Sequence, residues 1–335
     1  MVWLKFVLCL CIILFSGTKL ARYGDIIAEK TSLGGLWIGL ILLAFITSAP
    51  ELVTGISSAV LVGLPDLSLG TLLGSCLFNL CIIAPLDVIH PSPILSKVSL
   101  RHVISASIGV ILMVIAVGGI IFRDNFFGIT LGWVGLPSII ILIVYLIAMR
   151  QMFLFERSHQ KRDLKPSPQQ YEGTRIKIIC PKFIFAALAV IVAGMWLSFI
   201  GNEIIETTGW STSFVGSLFL AITTSMPELV ITISALRLGA VDMAIANILG
   251  ANMLDIAHIF AVDLFYSPGS VLSSVSHTHL ITAILVIIMY LIITIGLTLR
   301  IKQKTFIKTS WYSLALLGLY IIGAYTLFSP FIFTE

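Results

Sequence analysis

Charge is what this sequence has least of. Asp, Glu, Lys and Arg make up 11% of its 335 residues, whereas 58% of the residues are hydrophobic. A soluble domain of this length carries charged residues at about a quarter of its positions. The composition therefore excludes a soluble globular protein and predicts an integral membrane protein.

Several functional patterns are also missing. The five cysteines lie in or beside apolar runs at irregular spacing, which is not typical of a disulfide framework or a zinc site. No H-E-x-x-H or G-x-S-x-G pattern occurs, so an intramembrane enzyme is the least favoured function. We expect no enzyme activity, no cofactor and no nucleic-acid partner.

What the sequence does contain is a series of apolar runs long enough to cross a bilayer. The first run resembles a signal peptide, but ten spans are needed for the two halves of the chain to match, so we interpret it as a span. Because lipid offers the backbone no hydrogen bonds, each span is predicted to be helical, which makes the fold an all-α polytopic membrane protein. The predicted spans are 2–18, 35–59, 67–89, 100–121, 126–149, 179–200, 212–236, 241–265, 278–299 and 309–330.

The distribution of positive residues predicts the orientation of these spans. Eighteen of the 20 Lys and Arg residues fall on one side of the ten-span arrangement, and only Lys5 and Arg123 fall on the other. Since loops rich in Lys and Arg face the cytoplasm, both termini are predicted to lie outside. The expected location is the cell membrane. His277 and His279 fall in a predicted outer loop and are expected to be solvated.

The chain is internally duplicated. Residues 47–57 and 224–234 match at eight of eleven positions, and a second alignment pairs Asp66, Gly74, Asn79 and Asp87 with Asp242, Gly250, Asp255 and Asp263. The basic segment 150–178 is interpreted as a cytoplasmic linker between two repeats, 1–149 and 179–335. Five spans in each repeat, an odd number, make the repeats inverted, an arrangement that places shared motifs face to face near the midplane of a transporter.

Each motif carries a glutamate in the middle of a span. Burying Glu51, Glu228 or Asp255 as an ion costs roughly 3 kcal/mol. No lysine or arginine is predicted near the middle of a span to pair with them. The compensating charge is therefore expected to come from bound cations or protons.

Proline adds backbone oxygen to each motif. Pro50 and Pro227 have no N–H to donate to the carbonyls four residues back, those of Ile46 and Thr223. Each helix should therefore kink, and the kink should also expose the carbonyls of Thr47 and Thr224. Together with the hydroxyls of these threonines and of Ser48 and Ser225, such carbonyls favour a hard cation.

The following helix of each repeat is predicted to complete the site. Ser75 and Asn79 share a helical face, and Ala251 and Asp255 occupy the corresponding positions of the second repeat. The glycines nearby are expected to permit close helix approach. They are Gly70, Gly74, Gly239 and Gly250.

The paired Thr-Ser-x-Pro-Glu motifs, each followed by Gly-Ser/Ala-x-x-x-Asn/Asp, resemble the two alpha repeats of the sodium/calcium exchangers in the cation/calcium antiporter superfamily. In this chain the repeats span 46–80 and 223–256. The resemblance implies electrogenic exchange of Na⁺ for Ca²⁺ by alternating access. It also implies ligands for the transported ions: Glu51 and Glu228 for both ions, the carbonyls of Thr47 and Thr224 for Ca²⁺, and Ser48, Ser225, Ser75, Asn79 and Asp255 for Na⁺ or the polar centre.

The chain departs from the family pattern at several positions. Ala251 replaces a serine, Cys76 replaces an asparagine, and Ile46 and Thr223 replace a glycine. These changes keep the Ca²⁺ ligands but bear on Na⁺ coupling. His258, one turn beyond Asp255, is interpreted as a histidine hydrogen-bonded within the bundle, and the alternative is a proton acceptor.

The leading prediction is thus a monomeric antiporter in the lipid bilayer that exchanges Ca²⁺ for Na⁺. Exchange of Ca²⁺ or another divalent cation for H⁺ is the alternative in the same class. A passive cation channel is the alternative in another class, because carboxylates around an intramembrane cavity suit that function as well.

Overall fold

The structure of the protein is a computed structural model, which describes residues 1–30, 45–124, 128–160, 176–306 and 308–329. Helices dominate the described residues. The strands among them, which the all-α prediction did not include, form a short antiparallel hairpin in which Thr130–Leu131 pairs with Val134–Gly135. The long helices are α1 (Val2–Lys30), α2 (Ala49–Val60), α3 (Pro65–Ile89), α4 (His102–Ile121), α5 (Leu136–Gln160), α6 (Ile176–Thr208), α7 (Met226–Arg237), α8 (Val241–Phe265), α9 (His279–Leu299) and α10 (Trp311–Phe328).

Eight of the described helices are long and apolar enough to cross a membrane, and Thr212–Thr224 with α7, a pair bent by 45°, makes a ninth when the pair is counted as one span. The chain is therefore a multi-pass membrane protein. The remaining predicted span, 35–59, lies partly outside the described residues, so the count of ten and the position of the termini stay predictions. Helix α1 runs to Lys30 and α5 to Gln160, both beyond the predicted ends of their spans.

Two central helices, α3 and α8, organise the fold. They are the most deeply buried of the eight single-helix spans. In each of the other six, at most half of the most apolar 18-residue stretch is buried. Helices α4, α5, α9 and α10 pack with them around the main hydrophobic core. Helices α1 and α6 pack along each other in a separate cluster. The fold is thus a core crossed by α3 and α8 with a helix pair beside it.

Carboxylates at the ends of α3 and α8 connect the two halves of the chain. Asp66 accepts hydrogen bonds from the Ser276 backbone and the His279 ring, at 2.7 and 3.0 Å. At the start of α8, Asp242 accepts from the Ser99 backbone and the His102 ring, also at 2.7 and 3.0 Å. Since the donors immediately precede or begin α9 and α4, each central helix positions a helix of the opposite half.

Near the C-terminal ends of α3 and α8, an aspartate again accepts hydrogen bonds from the backbone of another segment. Asp87 accepts from the backbone of Ile94 and of Ser310, both at 2.9 Å. Asp263 accepts from the backbone of Val271 and of Gly135, at 2.5 and 2.7 Å. Buried polar groups of this kind must be paired to be tolerated. The four aspartates therefore fix both ends of both central helices.

The expectation of a solvated outer loop is wrong for His279. Its side chain is fully buried at the start of α9, where Nε2 contacts Asp66 and lies 3.3 Å from the Ser213 hydroxyl. His277 is exposed, as expected.

The glycines expected to permit close approach divide into two groups. A Cβ on Gly74 would lie 2.4 Å from the Ser217 Cα, and one on Gly70 would lie 3.2 Å from the Ser213 carbonyl oxygen. Here α3 contacts a π-helical turn, Val215–Leu220, backbone to backbone. For Gly239 and Gly250 the expectation is wrong within the described residues, since no described atom lies within 4 Å of either Cβ position. Gly239 instead ends α7 with a φ of +77°, a conformation that glycine adopts without strain.

Candidate cation site

Both copies of the motif break their helix at the serine. Ser48 has φ −85° and ψ 12°, and Ser225 has φ −84° and ψ 5°. The proline is then the second residue of the next helix, where its missing N–H is tolerated. In the second copy the two helical segments meet at 45°. The predicted kink is present, and it places each glutamate in the first turn of α2 or α7.

Neither serine hydroxyl caps the helix that follows it. The Ser225 hydroxyl instead donates to Glu51 Oε1 at 2.9 Å, and the Ser48 hydroxyl donates to Glu228 Oε1 at 3.3 Å. All four side chains are fully buried. Each carboxylate is therefore held by the motif of the opposite half, and the two motifs form one site.

The crossing of α3 and α8 contributes the next part of the site. The Asn79 amide nitrogen lies 3.5 Å from Asp255 Oδ2, at the limit of a hydrogen bond. Nearby, the Asn252 amide donates to the Cys76 carbonyl at 3.0 Å, and the Cys76 thiol approaches the Asn252 carbonyl at 3.6 Å. These contacts join residues 176 positions apart, so the repeats meet on equivalent residues.

Asn252 is a residue of this region that the sequence-based prediction missed. A signal was present, because Asn252 is the repeat equivalent of Cys76, the position where the family pattern has an asparagine.

The threonines and Ser75 lie within the same region. The Ser75 and Thr224 hydroxyls are 3.4 Å apart, and the Thr224 hydroxyl also donates to the Ala221 carbonyl at 3.2 Å. Thr47 and Ala251 are fully buried as well. The structure thus brings Ser48 and Ser225 into contact with the glutamates and Ser75 into contact with Thr224. Thr47 lies in the buried interior of the same motif.

Several acceptor oxygens of the site lack a donor. Among the described residues no hydrogen-bond partner reaches Glu51 Oε2, Glu228 Oε2, Asp255 Oδ1 or Asn79 Oδ1. A buried polar atom left unpaired costs about 1–3 kcal/mol, and more when it is charged. Carboxylate and amide oxygens with free lone pairs are ligands for Na⁺ and Ca²⁺, so a bound cation would compensate them.

The ligand atoms that the site offers decide which cation it can bind. In the part of the chain that the structure describes, no three His, Cys, Asp or Glu side chains are close enough together to hold a metal ion. A site here must therefore draw on hydroxyl, amide and backbone oxygens besides the carboxylates. Such a mixed oxygen set suits Ca²⁺ and Na⁺ better than a softer metal.

His258 does not have the hydrogen bonds expected of it. Its side chain is buried, and neither ring nitrogen has a partner among the described residues. The Nδ1 atom lies 3.8 Å from Asp255 Oδ1, too far for a hydrogen bond. The imidazole therefore contacts the site rather than a structural partner.

Helices α1 and α6 cover the two motifs. A Cβ on Gly17 of α1 would lie 2.5 Å from Pro227 Cγ, and one on Gly194 of α6 would lie 3.1 Å from Val53. The Ser198 hydroxyl of α6 also donates to the Thr54 carbonyl at 3.1 Å. Gly17 and Gly194 are 177 positions apart, the offset of the motifs themselves, and the sequence-based prediction did not include this pair.

Known proteins resemble this chain over most of its length. A family model described as sodium/calcium exchanger protein matches residues 1–154 and 182–329. The inner membrane protein YrbG of Escherichia coli (strain K12) is 24% identical over 266 residues, which cover 78% of this chain and 79% of that protein.

Two solved structures have a similar fold. Native YfkE gives a TM-score of 0.66 at 18% identity, covering 96% of this chain and 91% of that one. The sodium-calcium exchanger NCX_Mj, soaked with zero Na⁺ and Ca²⁺, gives a TM-score of 0.61 at 20% identity, covering 98% and 100%. The helical membrane fold of these proteins is therefore shared over nearly the whole chain.

Proposed function

Since the chain belongs to the sodium/calcium exchanger protein family, a family of cation antiporters, we propose that it exchanges Ca²⁺ for Na⁺ by alternating access. The observation that carries this proposal is the reciprocal pair of contacts between Ser225 and Glu51 and between Ser48 and Glu228. These contacts leave one oxygen of each carboxylate without a donor among the described residues. Two buried negative charges match the charge of one Ca²⁺ ion.

The proposed ligands follow from their places in the site. Ca²⁺ is bound by Glu51 and Glu228 together with the carbonyls of Thr47 and Thr224, which the break beside each proline frees. Na⁺ is bound where hydroxyl and amide oxygens adjoin the carboxylates. Those ligands are Ser48, Ser225, Ser75, Asn79 and Asp255.

The negative charge of the buried carboxylates is the reason to propose exchange rather than passive conduction. A site of buried carboxylates is costly to leave without cations, so the protein changes its accessible side with ions bound. A channel needs no such change and conducts without a counter-ion. We propose that one chain is sufficient for transport, because both motifs of the site come from the same chain.

The two repeats, 1–149 and 179–335, are proposed to be inverted. The contacts of Asp66 and Asp87 support this arrangement, because each joins positions that the distribution of Lys and Arg predicts on the same side of the membrane. The contacts of Asp242 and Asp263 do the same for the second repeat.

The coupling ion can be tested directly. In proteoliposomes loaded with Na⁺, ⁴⁵Ca²⁺ uptake is expected to rise when external Na⁺ is removed and to stay at background when only a pH gradient is imposed. Uptake driven by the pH gradient alone would contradict Na⁺ coupling and support H⁺ exchange, the alternative favoured by the position of His258 beside Asp255. Uptake without any counter-ion gradient and without exchange would support a channel.

Transport is also expected to weaken as the pH falls. An apolar environment favours the neutral form of a carboxyl group, so protons compete with Ca²⁺ for Glu51, Glu228 and Asp255. Initial rates of Na⁺-driven ⁴⁵Ca²⁺ uptake, measured between pH 8.5 and pH 5.5 with equal pH on both sides, should decline toward the acidic end. A rate that does not change over this range would exclude competition by protons.

A further inference from the structure

A groove of about 390 Å³ lies between α1 and α6, and none of its lining residues belongs to the candidate cation site. The residues that matter here are Phe15, Lys19, Tyr23, Lys182, Phe185 and Ala189. The first three belong to α1 and the others to α6. The groove therefore lies between the two helices that cover the motifs.

The walls of the groove are those of a lipid-facing surface. The side chains of Phe15 and Phe185 are 67% and 76% exposed in the structure, and both lie within predicted or observed membrane helices. Large exposed apolar side chains on such helices face acyl chains rather than water. An occupant of the groove is therefore apolar along most of its length.

The groove also carries two positive charges. Among the described residues, neither Lys19 nor Lys182 forms an ion pair with a carboxylate. The Lys19 ammonium lies 5.5 Å from the centroid of the Phe15 ring, a contact that leaves its charge uncompensated. Both lysines fall on the predicted cytoplasmic side of the protein. Two ammonium groups beside an apolar surface attract an anion at the level of the lipid headgroups.

We propose that this groove binds an anionic phospholipid of the cytoplasmic leaflet. The phosphate lies between Lys19 and Lys182, and an acyl chain lies against Phe15, Phe185 and Ala189. A phospholipid combines the anion and the apolar chain in one molecule, whereas a free phosphate would leave the aromatic walls of the groove uncovered.

The test measures lipid binding to the full chain. Purified protein in neutral detergent is titrated with dioleoylphosphatidylglycerol, and bound lipid is counted by native mass spectrometry. The variant Lys19→Gln/Lys182→Gln is expected to bind this lipid roughly 25-fold more weakly, since each lysine near an anionic headgroup contributes about a fivefold factor. Dioleoylphosphatidylcholine should bind more weakly to the parent protein and equally to both proteins.

The matched control is Lys97→Gln/Lys302→Gln, which removes two exposed lysines predicted on the same side but outside the groove. It should bind phosphatidylglycerol like the parent protein. Equal losses in the two double variants would show a general effect of surface charge and overturn the site. No loss in Lys19→Gln/Lys182→Gln would overturn it as well.

Two further measurements test the apolar part of the groove. Ala189→Trp keeps both lysines and fills the wall, so it should weaken phosphatidylglycerol binding, and unchanged binding would overturn the proposed position of the acyl chain. Inorganic phosphate should not displace the lipid at millimolar concentration, and displacement would assign the groove to a free anion instead. All of these readouts are independent of Ca²⁺ transport.

Discussion

Glu228→Gln is expected to abolish Ca²⁺ exchange, and Glu51→Gln is expected to do the same. Glutamine keeps the size of the side chain and an oxygen that can accept from Ser48 or Ser225, so the local fold should persist. What it removes is one of the two negative charges proposed to bind Ca²⁺. Because affinity in oxygen-ligated Ca²⁺ sites depends strongly on the number of charged ligands, we expect a loss of at least about 100-fold.

The measurement is Na⁺-driven ⁴⁵Ca²⁺ uptake in proteoliposomes at a series of external Ca²⁺ concentrations. The matched control is Glu203→Gln, which removes a half-exposed carboxylate paired with Lys5 at 2.7 Å. A surface pair of this kind contributes less than about 1 kcal/mol to stability, so transport should be retained. Normal Ca²⁺ uptake by either site variant would place the transported ion elsewhere in the molecule.

The second large effect is expected at Gly74. A Cβ added there would lie 2.4 Å from the Ser217 Cα, and backbone cannot rotate away as a flexible side chain can. Gly74→Ala should therefore force α3 away from the π-helical turn and lower the free energy of unfolding by roughly 3 kcal/mol, at the upper end for overpacked sites. Since Thr224 follows that turn closely, transport should fall as well.

Gly318→Ala is the control for this prediction. Gly318 lies within α10, and no described atom is within 4 Å of its Cβ position. Alanine favours a helix over glycine by about 1 kcal/mol, so this variant should be as stable as the parent protein or slightly more stable. Thermal unfolding in detergent, followed by the loss of the folded-protein peak in size-exclusion chromatography, separates the two variants. If Gly74→Ala unfolded at the parent temperature, the close backbone contact would be refuted.

The sequence predicted which polar residues are buried better than it predicted which of them form hydrogen bonds with each other. Burial of Glu51 and Glu228 follows from the motif alone, because a carboxylate in a membrane span is too costly to face the acyl chains. The helix break beside each proline follows as well, because proline removes a hydrogen bond of the helix. The donation from each serine to the glutamate of the opposite half could not be predicted. It depends on the relative rotation of two helices, which no periodicity within one helix specifies.

The glycines and His279 show the same limit. Gly74 and Gly250 are equivalent in the sequence repeat, yet the described structure places a backbone contact only on Gly74. The contact comes from the π-helical turn at Val215–Leu220, an irregularity that local apolar composition does not predict. The burial of His279 could not be predicted either, because its partner, Asp66, lies 213 positions away in the chain.

The aspartates at the ends of α3 and α8 bear on how the chain is made. A ribosome delivers the first half before the second, and Asp66 finds its donors only in residues 276–279. Until synthesis passes that point, Asp66 lacks both of these donors, and Asp87, which already accepts from the Ile94 backbone, lacks Ser310. Asp242 and Asp263, in turn, need Ser99 and Gly135 from the half already inserted. Neither repeat therefore has all the hydrogen-bond partners of its own central helix until the other repeat is in place.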